Sequence, residues 1–325
     1  MKARLHRPTP AALRQLASVL RDGGLVAIPT ETVYGLAAHA LDTKACRAIF
    51  RAKGRPAHDP LIVHVLDLAH AEELSDFNIA ARKLTRAFWP GPLTLVLPKK
   101  PCVPGIVTSG GPTVALRSPA HPLARRLLKL AGVPLAAPSA NPFTYISPTT
   151  AEHVRQGLGS RIPHILDGGP CPIGVESAVL DLSRSGRPRI LRPGAISAEQ
   201  IARVLKTKVT TVRRAGKKGV RLLAPGLLDK HYSPRTPLTM ADSPRATGDG
   251  QAIILLRKPA GNILPGVYWL SRRGALAEIA RNLYRVLREA DAGGHRRIFV
   301  EKLPPTVGGI AAAINDRLRR AAAKR

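Results

Sequence analysis

Leu13, Leu16, Ala17 and Leu20 recur at three- and four-residue intervals behind Thr9-Pro10. That is the spacing of an amphipathic helix with a capped start, and Gly23-Gly24 ends it. Residues 25–28 (Leu-Val-Ala-Ile) then form a short continuous apolar run, the mark of a buried strand. The run opens into Pro29-Thr30-Glu31-Thr32-Val33-Tyr34-Gly35-Leu36, where polar groups follow directly on a strand end. Strand ends of this kind border ligand crevices in α/β sheets. Thr43 is placed to cap a helix carrying Ala45, Ala48 and Ile49, which delivers the chain to Lys53. Beyond it the pattern predicts a strand over 61–65, a helix over 79–88 ending at Trp89-Pro90-Gly91-Pro92, and strands over 93–97 and 113–117. A helix over 122–130, a strand over 135–138, a helix begun by Ser147-Pro148-Thr149-Thr150 and a strand over 162–166 follow. Gly174-Val175-Glu176-Ser177 turns into a strand reaching Asp181, Ile190-Leu191-Arg192 forms another, and Ser197 caps a helix through Leu205.

From 206 to 250 the periodicity fades and basic residues, Gly and Pro dominate, as in a linker. One phrase interrupts it, Ala224-Pro225-Gly226-Leu227-Leu228-Asp229-Lys230-His231-Tyr232-Ser233-Pro234. An aromatic-proline phrase inside a long loop suggests a segment that docks on something. A second alternation then predicts strands over 251–256, 266–270 and 298–300 and helices over 273–289 and 308–320, hence a mainly parallel sheet. The expected organisation is a domain over 1–205, a linker over 206–250 and a smaller domain over 251–325. Neither G-x-G-x-x-G nor G-x-x-x-x-G-K-[ST] occurs in the second unit, so nothing there marks a nucleotide site.

Charge changes the picture more than composition does. The formal net charge is +30, spread along the chain and not confined to a tail, which favours polyanionic ligands: nucleotide, RNA, or both. Aromatic residues make up only 4%, which argues against a base-stacking platform for single strands. No apolar run approaches the roughly 18 residues of a membrane span, and the first residues carry no signal-type apolar core. Cys46, Cys102 and Cys171 are distant from one another and odd in number, as in a reduced protein without a disulfide framework or metal cluster. A cytoplasmic location is expected.

The chemistry concentrates in Lys53-Gly54-Arg55-Pro56-Ala57-His58-Asp59-Pro60-Leu61-Ile62-Val63-His64. In an extended segment Lys53 and Arg55 share one side, a point charge and a planar fork suited to phosphate oxygens. A solvated basic turn before a strand is the plainer reading of the same residues. His64 adds a third polar group to the stretch, and Arg117, at a strand end, is either solvated or a carboxylate clamp. Ser139-Ala140-Asn141 suits close approach of a ligand, and no G-x-S-x-G elbow surrounds Ser139.

Taken in order, these phrases resemble the L-threonylcarbamoyladenylate synthases of the long, two-domain type. The likeness runs from about residue 9 to 197 through the phrase 29–36, Lys53-Gly-Arg-Pro with His64, Trp89-Pro-Gly-Pro-Leu-Thr, Ala137-Pro-Ser-Ala-Asn141, Gly174-Val-Glu-Ser177 and Arg192-Pro-Gly. Pro225-Gly through His231-Tyr-Ser-Pro234 extends it into the linker. The resemblance implies an α/β architecture: a YrdC-like twisted mixed sheet with helices, then a linker and a smaller Rossmann-like α/β domain. It implies a nucleotidyltransferase that condenses L-threonine, bicarbonate or CO2, and ATP to threonylcarbamoyl-AMP and pyrophosphate. The product serves a tRNA threonylcarbamoyl transferase. By the same resemblance Lys53 and Arg55 hold the triphosphate and are the catalytic pair. Asp59, Thr113, Ser139, Asn141, Ser147, Arg192 and Tyr232 line the ATP site. Thr32, His64, Arg117, Ala137 and Ser177 surround threonine. Mg2+ is expected on the phosphates without a dedicated protein cage, and residues 224–234 are expected to fold over the site as a lid. Asp59 stands where many relatives carry Asn; an acid there either helps hold Mg2+ or points away. Two rivals remain at this level. One is an RNA-binding module using the basic surface without catalysis, the positive charge being enough for weak RNA binding. The other is a carbamoyl-phosphate-dependent maturation factor, against which the absence of any C-x-x-C pair counts.

Overall fold

The computed structural model describes residues 2–184, 186–212, 223, 224, 226, 229–245, 250–304 and 309–323. In chain order the elements are β1 (Arg4–His6), α1 (Pro10–Arg21), β2 (Val26–Ile28), β3 (Gly35–His39), α2 (Thr43–Lys53), β4 (Ile62–His64), α3 (Leu68–Glu72), α4 (Ile79–Phe88), β5 (Leu93–Pro98), β6 (Thr113–Arg117), α5 (Pro122–Ala131), β7 (Leu135–Ala136), α6 (Ala151–Leu158), β8 (His164–Leu166), β9 (Ala178–Asp181), β10 (Arg189–Arg192), α7 (Ala198–Leu205) and β11 (Thr210–Thr211). After these come β12 (Leu238–Ala241), β13 (Gln251–Arg257), β14 (Val267–Ser271), α8 (Leu276–Ala292), β15 (Arg297–Glu301) and α9 (Ile310–Ala321). The first eleven strands form one mixed sheet in the order β1-β8-β2-β3-β7-β4-β6-β5-β9-β10-β11, and the last four form a parallel sheet in the order β12-β15-β13-β14. The α/β architecture expected from the alternation is thus present, as a large twisted sheet followed by a smaller parallel one.

The strands read as continuous apolar runs because helices cover both faces of the sheet. Along β2, Val26 and Ile28 pack with Leu13, Leu16, Leu20 and Leu127 of α1 and α5. Ala27, between them, joins the opposite core with Ile49 of α2 and Val154 and Leu158 of α6. This is the two-residue alternation of a strand buried on both sides. Farther along, Leu93, Leu95 and Leu97 of β5 pack with Leu84 of α4 and Ile201 of α7. The intervening Val96 joins Ile62, Ala115, Val179 and Leu191 in a patch covered by Leu223 and Ala224 of the segment between the two sheets.

Local chemistry sets the helix ends, with two differences from the sequence reading. Helix α2 is capped by Asp42, whose carboxylate accepts from Lys44 N–H at 2.7 Å and Ala45 N–H at 3.2 Å; Thr43 is its first helical residue. Asp is at least as good a cap as Thr, and it stands one residue earlier. Lys53 and Arg55 are not on one extended segment. Lys53 is the last residue of α2, and Gly54 takes a left-handed φ of 64°. The Gly54 and Arg55 N–H groups close back on the Arg51 and Phe50 carbonyls, a Schellman cap that only a residue without Cβ adopts cheaply. The basic turn is therefore a helix terminus that throws its two cations in different directions.

The span expected as linker contains β11, which pairs with β10, and β12, which pairs with β15 as an edge of the second sheet. Pro225, Leu227 and Leu228 of the interrupting phrase and Gly308 of the last helix lie outside the described residues. The two sheets share a core: Val33, Ile146 and Val175 pack with Tyr232 and with Ile279, Leu283 and Tyr284 of α8. At this seam Gly174, with φ 84°, sits so close to α8 that a Cβ would lie 2.4 Å from Arg281 Cα and 2.5 Å from the Ala280 carbonyl. Gly174→Ala is expected to cost about 3 kcal/mol, from the left-handed backbone and the forced separation of the domains. Urea denaturation measures it, and an unchanged midpoint would refute so close an approach.

Candidate active site

One cavity lies where the strand ends of the large sheet meet Gly226, His231 and Tyr232. Its wall includes Thr30, Thr32, Arg55, Ile62, His64, Arg117, Ala137, Ser139, Glu176, Ser177, Arg192, His231 and Tyr232. The topology explains the convergence. His64 and Arg117 are the last residues of β4 and β6, paired in parallel register directly opposite each other. Thr30 and Thr32 come from the loop joining β2 to β3, Ser139 follows β7, Ser177 precedes β9, and Arg192 ends β10.

Each cation is buried and held. Lys53 Nζ donates to the Ser139 carbonyl at 2.5 Å and the Asn141 carbonyl at 2.6 Å. Burial, and then the charge of Arg55, pull its pKa well below the ordinary lysine value. Arg55 pairs with Asp59 at 3.0 Å and donates to the Pro60 carbonyl at 2.6 Å. Arg117 pairs with Glu31 at 2.6 Å while its other terminal nitrogen donates to Thr32 Oγ1 at 2.9 Å. Arg192 donates to the Ser177 carbonyl at 3.1 Å and to its hydroxyl at 3.2 Å, and that hydroxyl also meets Thr94 Oγ1 at 2.8 Å. His64 is buried beside Arg117; burial first, and then that charge, push its pKa down to about 3, so the ring is neutral at neutral pH. Its Nδ1 makes no hydrogen bond of ordinary geometry among the described residues, and neither do Tyr232 Oη and Asn141 Oδ1. These buried polar atoms are suited to a ligand's donors and acceptors.

Of the residues singled out from sequence, Thr32, Arg55, His64, Arg117, Ala137, Ser139, Ser177, Arg192 and Tyr232 meet on the cavity wall. Lys53, Asp59, Asn141 and Ser147 stand one layer behind, each bonded to a neighbour. Asp59 is fully buried on Arg55, Asn141 donates to the Pro142 and Tyr145 carbonyls at 2.8 Å, and Ser147 Oγ donates to Glu176 at 2.6 Å. Thr113 lies at the start of β6, paired with Pro98, at the opposite end of that strand from Arg117. Sequence reasoning passed over Glu31 and Glu176. Both stand within the 29–36 and 174–177 phrases, but a carboxylate's importance shows only once its cation is known, and Arg117 is far from Glu31 along the chain. Among the described residues no three His, Cys, Asp or Glu side chains converge as a metal site.

The neutral burial of His64 has a consequence for stability. Its folded pKa is depressed below the unfolded 6.5, so between pH 6.5 and about 3 the unfolded chain binds the extra proton. The contribution is complete above pH 6.5 and is lost as pH falls through that window. His64→Gln is expected to flatten the loss of stability between pH 6 and 4.5 by about 1.4 kcal/mol per pH unit, read from denaturation midpoints. Equal slopes in the two proteins would show that the ring is not held neutral.

The family model Sua5_yciO_yrdC, described as "Telomere recombination", matches residues 18–194. A second, "Threonylcarbamoyl-AMP synthase, C-terminal domain", matches residues 196–323. The threonylcarbamoyl-AMP synthase of Pyrococcus abyssi (strain GE5 / Orsay) is 40% identical over 326 residues, covering 96% of this chain and 94% of its own length. That of Bacillus subtilis (strain 168) is 40% identical over 327 residues, covering 96% and 93%. The crystal structure of P. abyssi Sua5 complexed with L-threonine superposes with a TM-score of 0.90 at 38% identity, covering 99% of this chain and 98% of that one. With both halves matched and relatives aligned across nearly the whole length, the chain belongs to the threonylcarbamoyl-AMP synthase family, in its long form with a YrdC-like domain followed by a C-terminal α/β domain.

Proposed function

We propose that the protein is an adenylyltransferase that condenses L-threonine, bicarbonate or CO2, and ATP to threonylcarbamoyl-AMP and pyrophosphate. The observation that carries this reading is one cavity whose wall holds two unlike sets of groups. Arg117, Thr32 and His64 can make a clamp for a small carboxylate, while Arg55 and Arg192 line the same space as partners for phosphate. In the reaction, threonine's amine loses a proton and adds to the carbon of CO2, giving N-carboxy-threonine. A carbamate oxygen then attacks the α-phosphorus of ATP, the bond to the bridging oxygen breaks, and pyrophosphate leaves with that electron pair.

The residues take the following parts in this reading. Arg117, its fork already set by Glu31 and Thr32, receives the threonine carboxylate. Neutral His64 contributes a hydrogen bond without charge, and Ala137 and Ser177 complete the amino-acid pocket. Lys53 and Arg55 stabilise the charge developing on the phosphoryl groups, a role in which positioning and cations do most of the work. Lys53 would leave two carbonyls to do so, and its burial makes an anionic partner all the more favourable. Asp59 aligns Arg55; Thr113, Ser139, Asn141, Ser147 and Arg192 serve the nucleotide. Mg2+ would be held by phosphate oxygens and water, with Asp59 paired to Arg55 through one carboxylate oxygen.

Access requires motion. With His231 and Tyr232 inserted, the cavity volume is about 40 Å3, room for a few waters at most, whereas ligand sites of this kind span roughly 300–1,000 Å3. The 229–233 segment therefore withdraws to admit substrates and returns over them, with Tyr232 Oη reaching the nucleotide and water kept from the labile carbamate. The product is proposed to pass to a tRNA threonylcarbamoyl transferase, and the basic surface to give weak RNA binding. A cytoplasmic location follows from that role; no helix among the described residues is long and apolar enough to cross a membrane.

Pyrophosphate release from ATP should require both threonine and bicarbonate, and Lys53→Ala should reduce it at least about 100-fold. Release indifferent to threonine, with tight salt-sensitive RNA binding, would instead identify a binding module. Tyr232→Ala should raise the KM for ATP and slow turnover; if both stay at wild-type values, the lid role is wrong.

A further inference from the structure

The C-terminal domain reaches the cavity through one buried polar cluster. Arg317, on α9, has no exposed side-chain surface. Its Nε donates to Glu176 Oε2 at 2.7 Å, one terminal nitrogen to Asp316 at 2.7 Å and the other to the Pro193 carbonyl at 3.0 Å. Tyr284, on α8, donates to the same Glu176 carboxylate at 2.9 Å. Glu176 is itself part of the cavity wall. The Tyr232 ring lies between the two: stacked on Tyr284 with centroids 5.7 Å apart, and 5.2 Å from the Arg317 guanidinium carbon. The flanking backbone is tied down as well. His231 N–H and Ser233 Oγ both donate to the Arg320 carbonyl in the last turn of α9, and Ser233 N–H donates to the Thr144 carbonyl at 2.8 Å.

We propose that Arg317 and Tyr284 are positioning residues for the catalytic cavity, latching the 231–233 segment through Glu176 and Tyr232, so that the C-terminal domain decides when the cavity is open. This rests on the function proposed above. The same cluster fixes the charge of Glu176. Burial drives its carboxyl pKa up, but Arg317 and Arg192, with the Ser147 hydroxyl, outweigh that and hold it below the usual value. The groups facing Glu176 are Ser147 ahead of α6, Arg192 of β10, Tyr284 of α8, Arg317 of α9 and Tyr232 of the segment itself. A generic domain seam has no need to place a buried carboxylate on both the latch and the cavity wall, as Glu176 is.

The test is hydrogen exchange on the full chain, read at peptides covering 229–236, for wild type, Tyr284→Phe and Arg317→Met. Tyr284→Phe keeps the ring stack and removes only the hydroxyl. Both variants are expected to speed exchange of the His231 and Ser233 amides about tenfold or more, while the α4 amides keep wild-type rates. Unchanged exchange at 229–236 in either variant overturns the latch. So does equal acceleration across the whole chain in Tyr284→Phe, which would make the cluster a general brace. A second readout is the pH profile of pyrophosphate release. Arg317→Met should move its acid limb to higher pH as Glu176 gains a proton more readily, and adding Glu176→Gln should remove that movement. An acid limb unmoved in Arg317→Met rejects the link to Glu176. Hydrogen exchange does not depend on turnover, so a wild type without threonine-dependent pyrophosphate release would defeat the proposed function and leave the latch to be judged on its own.

Discussion

Lys53, Arg55, Arg117, Arg192 and Arg317 are all buried around one cavity, and a buried cation without a partner is among the most costly things a fold can contain. The site is built around that constraint. Arg55 is matched by Asp59, Arg117 by Glu31, Arg317 by Glu176, and Lys53 by two main-chain carbonyls. Each match fixes a piece of backbone: the turn after α2, the loop between β2 and β3, the turn before β9, and the chain leaving β7. The geometry of the wall is thus set by charge satisfaction as much as by the hydrophobic cores behind it.

Such partners also keep the cations ready for incoming anions. Arg117 and Arg55 present forks whose orientation is already set by a carboxylate, so in the proposed reaction a substrate oxygen would meet a group that needs no reorganisation. Lys53 differs, being held only by neutral carbonyls, and it is the cation with most to gain from an anion. Neutral His64 beside Arg117 keeps a further positive charge out of that part of the cavity.

The second domain enters through the same electrostatics. Val33, Ile146 and Val175 share its core, and Gly174 lets α8 approach to backbone contact. What crosses the seam at the cavity, however, is a carboxylate from one domain and an arginine and a tyrosine from the other. Tyr232, from the interrupting phrase, lies between Tyr284 and Arg317 in this cluster.

The sequence by itself determined most of the elements and much of the wall, though not β1, α3, β11 or β12, which are short or lie outside any clear periodicity. The 13-16-17-20 spacing marks α1, Ser197 marks the start of α7, and Thr32, His64, Arg117 and Arg192 mark the ends of apolar runs, where a polar group is either solvated or faces a ligand. Tertiary structure decided what those groups do to one another. Gly54, not an extended path, separates Lys53 from Arg55. Glu31 and Glu176 gain meaning only beside arginines distant in the chain. Arg317 sits among the basic residues of the end of α9, and nothing local marks it as buried until α9 docks and excludes water from it. Local periodicity records which side of an element is apolar. The pairing of buried charges depends on distances across the fold, and those arise only when separate segments are brought together.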